Sequence, residues 1–314
     1  MELTREWLRR NGLPGSDAHD LPTSPLRFPD GGQYRVEIPS VEGPHVLEAV
    51  LAAADAHHVD VHRVSQGSGT MLLTDAELDA TARLAAARGV EVSLFARPTA
   101  GWDVGAMVRT DGGGMMAGQV RGADGLVHCL EDVRRAADAG FRSVLVSDLG
   151  VLQTAAAMRA AGEFPADLQF KASVLMGLAN PASVRLAATL GADTYNLPTD
   201  LSLGQIAAIR QAVDIPLDVY VEAPDDLGGF VRHYDIPELV RVAAPVYLKF
   251  GLRNAPNIYP SGEHLVPLAA SLGRERVRRA RLGLDLLQRY TPDAVASPLP
   301  TSSLAVPAPG PAPA

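Results

Sequence analysis

The feature that most constrains the fold is a regular alternation of short β-branched runs with longer stretches rich in alanine and leucine. Short apolar runs of this kind are typical of buried strands, and the longer stretches are typical of helices. The alternation therefore predicts repeated strand–helix units and a parallel sheet. The predicted strands are Tyr34–Pro39, Val59–Val64, Val90–Phe95, Ser143–Ser147, Leu168–Leu175, Thr194–Leu197, Leu217–Val221 and Val246–Phe250.

The stretches between these runs carry helix start and stop signals. Thr74 with Glu77 three residues later is a capping pattern, Asn180 precedes Pro181, and Gly89 follows the end of a stretch. The predicted helices are Glu2–Asn11, Pro44–His57, Asp75–Arg88, Cys129–Ala139, Val151–Ala161, Pro181–Leu190, Leu203–Ala212, Ile236–Ala243 and Glu275–Tyr290.

Eight strands, each followed by a helix, predict an α/β fold, a single (β/α)8 TIM-like barrel over residues 33–290. An open doubly wound sheet is the alternative, but it would normally show a glycine-rich phosphate fingerprint after its first strand, and residues 38–43 contain none. Residues 1–32 form an irregular N-terminal extension. Residues 291–314 are rich in proline and alanine, and we predict a disordered tail because their apolar mass is too small to offset ordering.

Charge and composition limit the kinds of molecule that the protein is expected to bind. A net charge of −8 and a pI of about 5.5 argue against nonspecific nucleic-acid binding. The single Cys129 excludes an internal disulfide and an all-cysteine metal site within one chain. The charged N-terminus is unlike a signal peptide, and no apolar stretch could span a membrane, so we predict a soluble cytoplasmic protein without membrane binding. The sequence leaves a homo-oligomer open.

The chain has only two lysines, Lys171 and Lys249, against 26 arginines. Both lie in predicted buried strands. Lysine differs from arginine because it is a compact charge whose pKa shifts readily on burial, so two retained amines point to an active site. Codon bias that happens to spare two lysines is the alternative explanation.

Polar side chains follow the strand ends, where barrel enzymes place their catalytic groups. We predict Lys171, Glu222 and Lys249 as catalytic residues, with Glu222 and Lys249 in contact on neighbouring strands. An ion pair without chemistry is the alternative for these buried groups. The predicted substrate-binding residues are His62, Ser65, Arg97, Asn196, Arg253 and Asn254.

Two loops are candidate binding elements. Residues 65–70, Ser-Gln-Gly-Ser-Gly-Thr, could offer backbone N–H groups to an anion, although an ordinary turn has the same composition. Residues 112–114 are a glycine run inside a longer insertion, which is typical either of a mobile lid or of a plain connector.

No cofactor is predicted. A divalent metal is the alternative, held by Glu37, His62, Asp148 and Glu222 at the strand ends. Lys171 could instead form a Schiff base as an amine nucleophile, which would make the protein a lyase or aldolase. A barrel without catalytic activity that serves as a binding or scaffold protein is the third possibility.

Three stretches resemble a known family. Lys249-Phe250-Gly251-Leu252-Arg253-Asn254 with the later Tyr259 is similar to a strand ending Lys-Ile-Glu-Gly-Arg, and residues 215–223 and 191–203 are similar to two earlier family stretches. The family is that of the collagenase-like peptidases of unassigned catalytic type. The resemblance covers about residues 140–260 and implies a barrel and a peptidase-like enzyme.

The chain departs from this family at two places that bear on chemistry. Glu222 replaces the family's histidine and Asn254 its second lysine, and the cysteines that hold an iron–sulfur cluster in some members are absent. Because these cysteines are absent, we do not expect a hydroxylation that depends on an iron–sulfur cluster. Together, residues and resemblance predict an enzyme, hydrolase first and lyase second, that acts on a small or peptide-like anionic substrate.

Overall fold

A computed structural model describes residues 1–13, 20–98, 106–110, 113–301 and 303–310. Eight parallel strands close into a barrel in chain order within this part of the chain, with β8 paired to β1. The predicted (β/α)8 barrel is therefore confirmed. The strands are β1 Tyr34–Pro39, β2 Arg63–Ser65, β3 Glu91–Phe95, β4 Ser143–Val146, β5 Gln169–Ala172, β6 Thr194–Asn196, β7 Leu217–Glu222 and β8 Val246–Phe250.

Helices surround the barrel, and their first turns explain where several begin. Thr74 and Glu77 form a reciprocal capping box, as do Asn180 with Ser183 and Ser202 with Gln205. The helices are α1 Glu2–Arg10, α2 Pro44–His57, α3 Asp75–Arg88, α4 Gly122–Asp138, α5 Leu149–Ala160, α6 Pro181–Thr189, α7 Leu203–Arg210, α8 Ile236–Ala243 and α9 Val266–Tyr290.

The two faces of the barrel wall differ in polarity. Outward residues such as Val36, Ile38 and Val64 are fully buried against the helices and form the main apolar core. Inward residues, two apart along each strand, are largely polar, and Glu37 on β1 contacts Lys171 on β5 across the lumen. The lumen of the barrel therefore contains ionic groups, and the apolar core surrounds it between the strands and the helices.

The C-terminal segment is more ordered than its composition predicts. Ala296 pairs with Tyr34 at the start of β1, and Ser297, Leu304 and Ala305 are buried. Ala305 N donates to Glu91 Oε2 at 3.4 Å. The expected disorder therefore does not apply to the described residues between 291 and 310, because they cover the amino ends of the strands and gain buried contacts there.

No helix among the described residues is long and apolar enough to cross a membrane. Helix α1 buries none of its residues, and the side chain of Trp7 is 56% exposed.

Candidate active site

Glu37 is the centre of an ion cluster inside the barrel. Its side chain is fully buried. Arg63 contacts Oε2 through Nε at 2.9 Å and Nη2 at 2.7 Å, and Lys171 Nζ contacts the same oxygen. Lys249 Nζ lies 3.1 Å from Oε1, and Ser65 Oγ donates to Oε1 at 2.8 Å. One carboxylate therefore gathers three cations from three other strands.

Asp218 on β7 is a second carboxylate in this cluster. It lies 2.6 Å from Arg63 Nη2 and 2.9 Å from Lys171 Nζ. Both are ion pairs without hydrogen-bond geometry, since neither Asp218 oxygen has a hydrogen bond within the described residues. Glu91 is the third, 3.5 Å from Arg63 Nη1. Three cations thus face three carboxylates, which is how a buried ionic group avoids an uncompensated charge.

The cluster shifts the pKa values of its members. Burial favours the neutral acid of Glu37, but Arg63, Lys171 and Lys249 outweigh it and hold its pKa well below the ordinary value. Burial and the neighbouring Arg63 lower the pKa of Lys171 to about 8, against the opposing pull of Asp218 and Glu37. Glu37 is therefore a poor general base, whereas Lys171 can lose its proton in mildly alkaline solution.

A small cavity of about 110 Å³ lies directly above the cluster, at the carboxyl ends of the strands. Lys249 is the cluster cation that lines it, and Lys171 does not. Asn196 also lines it, and its Oδ1 accepts no hydrogen bond within the described part of the chain. The polar and charged residues of the lining are Ser40, Ser65, Gln66, Arg97, Ser173, Asn196, Tyr220, Asp226, Lys249 and Tyr259.

Tyr259 and Arg97 shape the mouth of this cavity. Tyr259 donates its hydroxyl hydrogen bond to Ser40 Oγ at 2.5 Å, and its ring covers Gly67, where a Cβ would lie 2.6 Å from the ring. Arg97 is half-buried and donates to Gly67 O at 2.7 Å, with its guanidinium carbon 5.7 Å from the Tyr259 ring centre. Burial lowers the pKa of Arg97, and Tyr259 and Glu42 oppose that shift.

The predicted anion-binding loop at residues 65–70 already holds an anion, a carboxylate of the chain itself. Glu42 accepts hydrogen bonds from Gly67 N at 2.7 Å and Ser68 N at 3.1 Å. Its pKa is raised by burial despite these donors. The backbone amides of Gly67 and Ser68 therefore bind Glu42 in the wall of the cavity. This corrects the expectation that the loop offers them to a ligand.

Glu222 does not face the cavity. The register of β7 against β8 shifts between Tyr220 and Glu222, which turns the carboxylate away from the lumen. Its Oε2 lies 3.3 Å from His233 Nε2 and 3.5 Å from Arg279 Nη1, on the helix side. The expected Glu222–Lys249 contact was wrong, because Lys249 pairs with Glu37 instead.

His62 lies at the other end of the barrel. Strand β2 begins at Arg63, so His62 precedes it. Its Nδ1 accepts from Val36 N at 3.1 Å, and its Nε2 lies 2.9 Å from Ser297 O under the C-terminal segment. Burial lowers its pKa. The structure therefore does not bring His62 to the cavity, because the strand starts later than the apolar run suggests.

Arg253 and Asn254 lie on the loop after β8, exposed and outside the cavity lining. Arg253 Nε lies 3.6 Å from Asp225 Oδ1, and Asn254 N donates to Asp225 Oδ2 at 2.5 Å. Arg253 N also donates to Glu222 at 2.9 Å. These contacts fix the loop, so the structure does not bring the two residues to the predicted binding site.

The suggested metal ligands are not brought together. Glu37 and His62 have the separate partners described above, Glu222 faces the helices, and Asp148 caps α5 by accepting from Gly150 N and Val151 N. The described residues contain no group of three or more histidines, cysteines or carboxylates that could hold a metal ion. Of the glycine run at residues 112–114, Gly112 lies outside the described residues, so the proposed lid stays a prediction.

Sequence reasoning missed three members of the ion cluster, Arg63, Glu91 and Asp218. All three are buried. For Arg63 and Asp218 the available signal was their phase, because Arg63 is two residues before Ser65 and Asp218 two before Tyr220, on the same strand faces. In a chain with 26 arginines, an arginine by itself does not indicate a buried site.

Comparison with known proteins supports part of the family resemblance. Residues 121–223 match the family model of peptidase family U32, the collagenase-like peptidases. The resemblance predicted from the sequence is confirmed for that stretch, which is less than half of the chain and ends before Lys249. A search of curated proteins found no match.

Solved structures give distant likenesses. A U32 peptidase is similar with 17% identity, a TM-score of 0.38, and coverage of 66% of this chain and 73% of that one. A candidate lyase/mutase from Burkholderia cenocepacia has 19% identity and a TM-score of 0.44 over 87% and 86%. Oxaloacetate acetylhydrolase bound to oxalate has 13% identity and a TM-score of 0.41 over 83% and 84%. Likenesses at this level carry no information about the reaction.

Proposed function

We propose that this barrel is an enzyme, related to U32 peptidases over residues 121–223, that binds a small or peptide-like anionic molecule in the cavity above the ion cluster. The observation that carries the proposal is the pair of cations in the cavity wall, Lys249 and Arg97. Barrel enzymes place their sites at this end of the strands. A cytoplasmic location stays a prediction.

The residues divide into binding and supporting roles. Lys249 and Arg97 would attract a carboxylate or polarise a carbonyl, since charged donors in a water-poor cavity act strongly. Ser65 and Asn196 would orient the molecule from the wall. Arg63 and Lys171 would act from below, because their charges hold Glu37 and so fix Lys249, and Asp218 would hold these two cations in place.

Hydrolysis is the reaction favoured by the family match. Ser65 is the cavity hydroxyl that donates to a carboxylate, but the lowered pKa of Glu37 makes that carboxylate a weak base. Glu222, predicted as a catalytic residue, lies outside the cavity lining and takes no role in this proposal.

A Schiff-base lyase is the second candidate, favoured by two amines on opposite sides of Glu37. An imine requires an amine that a carbonyl compound can reach. Lys171, the predicted nucleophile, is 1% exposed and does not line the cavity, whereas Lys249 does.

Ligand-dependent thermal stabilisation tests the binding proposal. A panel of glyoxylate, pyruvate, phosphate and an acidic dipeptide should include at least one compound that raises the Tm by about 2 °C or more at saturation. Lys249→Met and Arg97→Met should remove that shift. Arg83→Met, which alters a half-exposed ion pair with Asp79, is the matched control and should keep it.

The outcomes separate the candidates. A shift that survives in both cavity variants would place binding elsewhere and reject the proposal. No shift with any compound would favour a barrel that serves as a scaffold.

A further inference from the structure

The two lysines of the chain contact the two oxygens of one carboxylate. Lys171 Nζ contacts Glu37 Oε2, and Lys249 Nζ lies 3.1 Å from Oε1. Carboxylates that bridge two ionisable groups couple their protonation, because a proton lost by one group changes the charge felt by the other. Glu37 therefore links the two amines both in space and electrostatically.

The surroundings of the two amines are unequal. Lys249 lines the cavity, pairs with Glu37 and stands 4.7 Å from the centre of the Tyr220 ring. Lys171 is enclosed beneath the cavity and contacts two carboxylates, those of Glu37 and Asp218. Lys249 can therefore contact a molecule bound in the cavity, whereas Lys171 can only exchange protons with its neighbours in the cluster.

We propose that Lys249 is the amine that attacks a carbonyl group in the cavity, and that Lys171 is a positioning residue that takes up the proton of Lys249 through Glu37. The inference rests on the proposed binding at this cavity. It names the substrate class as a small 2-oxo acid, whose carbonyl carbon meets Lys249 and whose carboxylate meets Arg97.

The step balances without an added oxidant or reductant. The Lys249 ammonium transfers a proton to Glu37 Oε1, a turn of the carboxyl group carries the same proton to neutral Lys171, and Glu37 is left ionised again. The nitrogen of neutral Lys249 then forms a bond to the carbonyl carbon, the carbonyl oxygen takes up the two protons that this nitrogen loses, and the carbon–oxygen bond breaks to release water. The products are an imine on Lys249 and one water molecule.

Lys171 can accept the proton only in its neutral form. The charged groups that face it come from four strands: Glu37 on β1, Arg63 on β2, Asp218 on β7 and Lys249 on β8. Burial and the two cations favour the neutral amine over the pull of the carboxylates, and the pKa of Lys171 is lowered to about 8. The transfer should therefore proceed near and above pH 8 and fail in acid solution.

The scarcity of lysine makes the proposal directly measurable. Reaction with glyoxylate and cyanoborohydride fixes an imine as a carboxymethyl group, and peptide mapping can find this mark only at Lys171, Lys249 or the amino terminus. We expect Lys249 to be marked and Lys171 to stay unmodified. The rate at Lys249 should rise through about pH 8 in the unaltered protein.

Lys171→Arg separates proton exchange from structure, since arginine keeps the positive charge but cannot release its proton. The labelling rate of Lys249 at pH 8 should fall about tenfold in this variant, because a guanidinium cannot take up the proton of Lys249. Lys249→Arg should remove the internal mark. Should Lys171→Arg fail to fold, the pH profile of the unaltered protein decides.

The results that overturn the inference differ from those that overturn the binding proposal. Labelling of Lys171, equal rates in the unaltered protein and Lys171→Arg, or a rise only near pH 10 would reject the inference. If glyoxylate or another compound stabilises the protein through Arg97 while Lys249 stays unmarked, the inference fails and the binding proposal stands. If nothing stabilises the protein and nothing is marked, both fail.

Discussion

The two ends of the barrel hold similar polar groups in opposite settings. At the amino end, Arg35 donates to Asp30 at 2.8 Å, to Ser297 at 2.9 Å and to Tyr247 at 3.0 Å, all under the C-terminal segment. At the carboxyl end, Lys249 belongs to an equally buried cluster but also lines a cavity. A buried charge therefore indicates a site only where a cavity reaches it.

One residue contacts both the ion cluster and the segment that covers the amino end. Glu91 lies 3.5 Å from Arg63 in the cluster and accepts from Ala305 N at 3.4 Å in the covering segment. The amino end is thus closed by the protein's own chain, which leaves the carboxyl end as the side from which a ligand can reach the cluster.

Glu37→Ala should have the largest effect of any change at either end. It would leave Arg63, Lys171 and Lys249 as buried cations with too few counter-charges, and breaking such a network costs about 3–5 kcal/mol. Urea unfolding measures the loss. Asp79→Asn, at a half-exposed ion pair with Arg83, is the control and should cost less than about 1 kcal/mol. Comparable losses in the two variants would mean that the cluster adds little.

Asp30→Asn tests the closed end and should cost about 2 kcal/mol at pH 7, as a charge-assisted hydrogen-bond network is broken. Burial would raise the pKa of Asp30, but Arg35, Gly32 and the hydroxyls of Thr301 and Ser297 lower it further than burial raises it. A carboxyl with a depressed pKa stabilises the fold above its ordinary pKa and loses that contribution as pH falls.

The pH dependence gives this prediction its direction. The stability difference between the unaltered protein and Asp30→Asn should be full above about pH 4 and shrink below it. Unfolding in urea between pH 2.5 and 7 would show this, while the ligand-induced Tm shift should persist. A difference that is constant with pH would show that the carboxylate charge is not what holds the segment.

Gly67→Ala tests the shape of the open end and should weaken ligand binding about tenfold while costing about 1 kcal/mol of stability. A Cβ there would lie 2.6 Å from the Tyr259 ring, which is tied to Ser40 and must shift. Gly204→Ala adds a Cβ with an ordinary contact at 3.8 Å and is the matched control. Unchanged binding in Gly67→Ala would show that Tyr259 does not define the mouth.

Most of the fold could be predicted from the sequence because its signals are local. The bounds of β1, β8, α2, α3 and α8 agree with prediction, since capping residues and proline mark them. Strand β2 was predicted from Val59, but the structure begins it at Arg63. Val59 and Val61 in the run before it are buried, but the backbone hydrogen bonds to β1 and β3 begin at His62, whose N–H donates to Val36 O and whose O accepts from Glu91 N. Burial alone therefore does not mark where a strand begins.

The candidate site was only partly predictable. Lys171, Lys249 and Glu37 could be expected to pair because an unpaired buried charge is costly. The outward turn of Glu222 depends on a register shift between strands, which no local pattern reveals. The engagement of the loop amides by Glu42 is likewise a contact between distant segments. Long-range geometry, not residue type, decided these cases.

Arg253→Met should have the smallest effect on stability and on ligand binding. It compares two arginines at the carboxyl end of the barrel, Arg253 and Arg97. Arg253 and Arg97 both follow strand ends, but Arg253 is exposed and paired with Asp225, whereas Arg97 lines the cavity. Loss of an exposed pair should change stability by no more than about 0.5 kcal/mol and leave the ligand-induced Tm shift intact. Parallel measurement of Arg97→Met makes the comparison internal. Loss of binding in Arg253→Met would mean that the loop after β8 folds over the bound molecule, and the cavity wall would then have to include it.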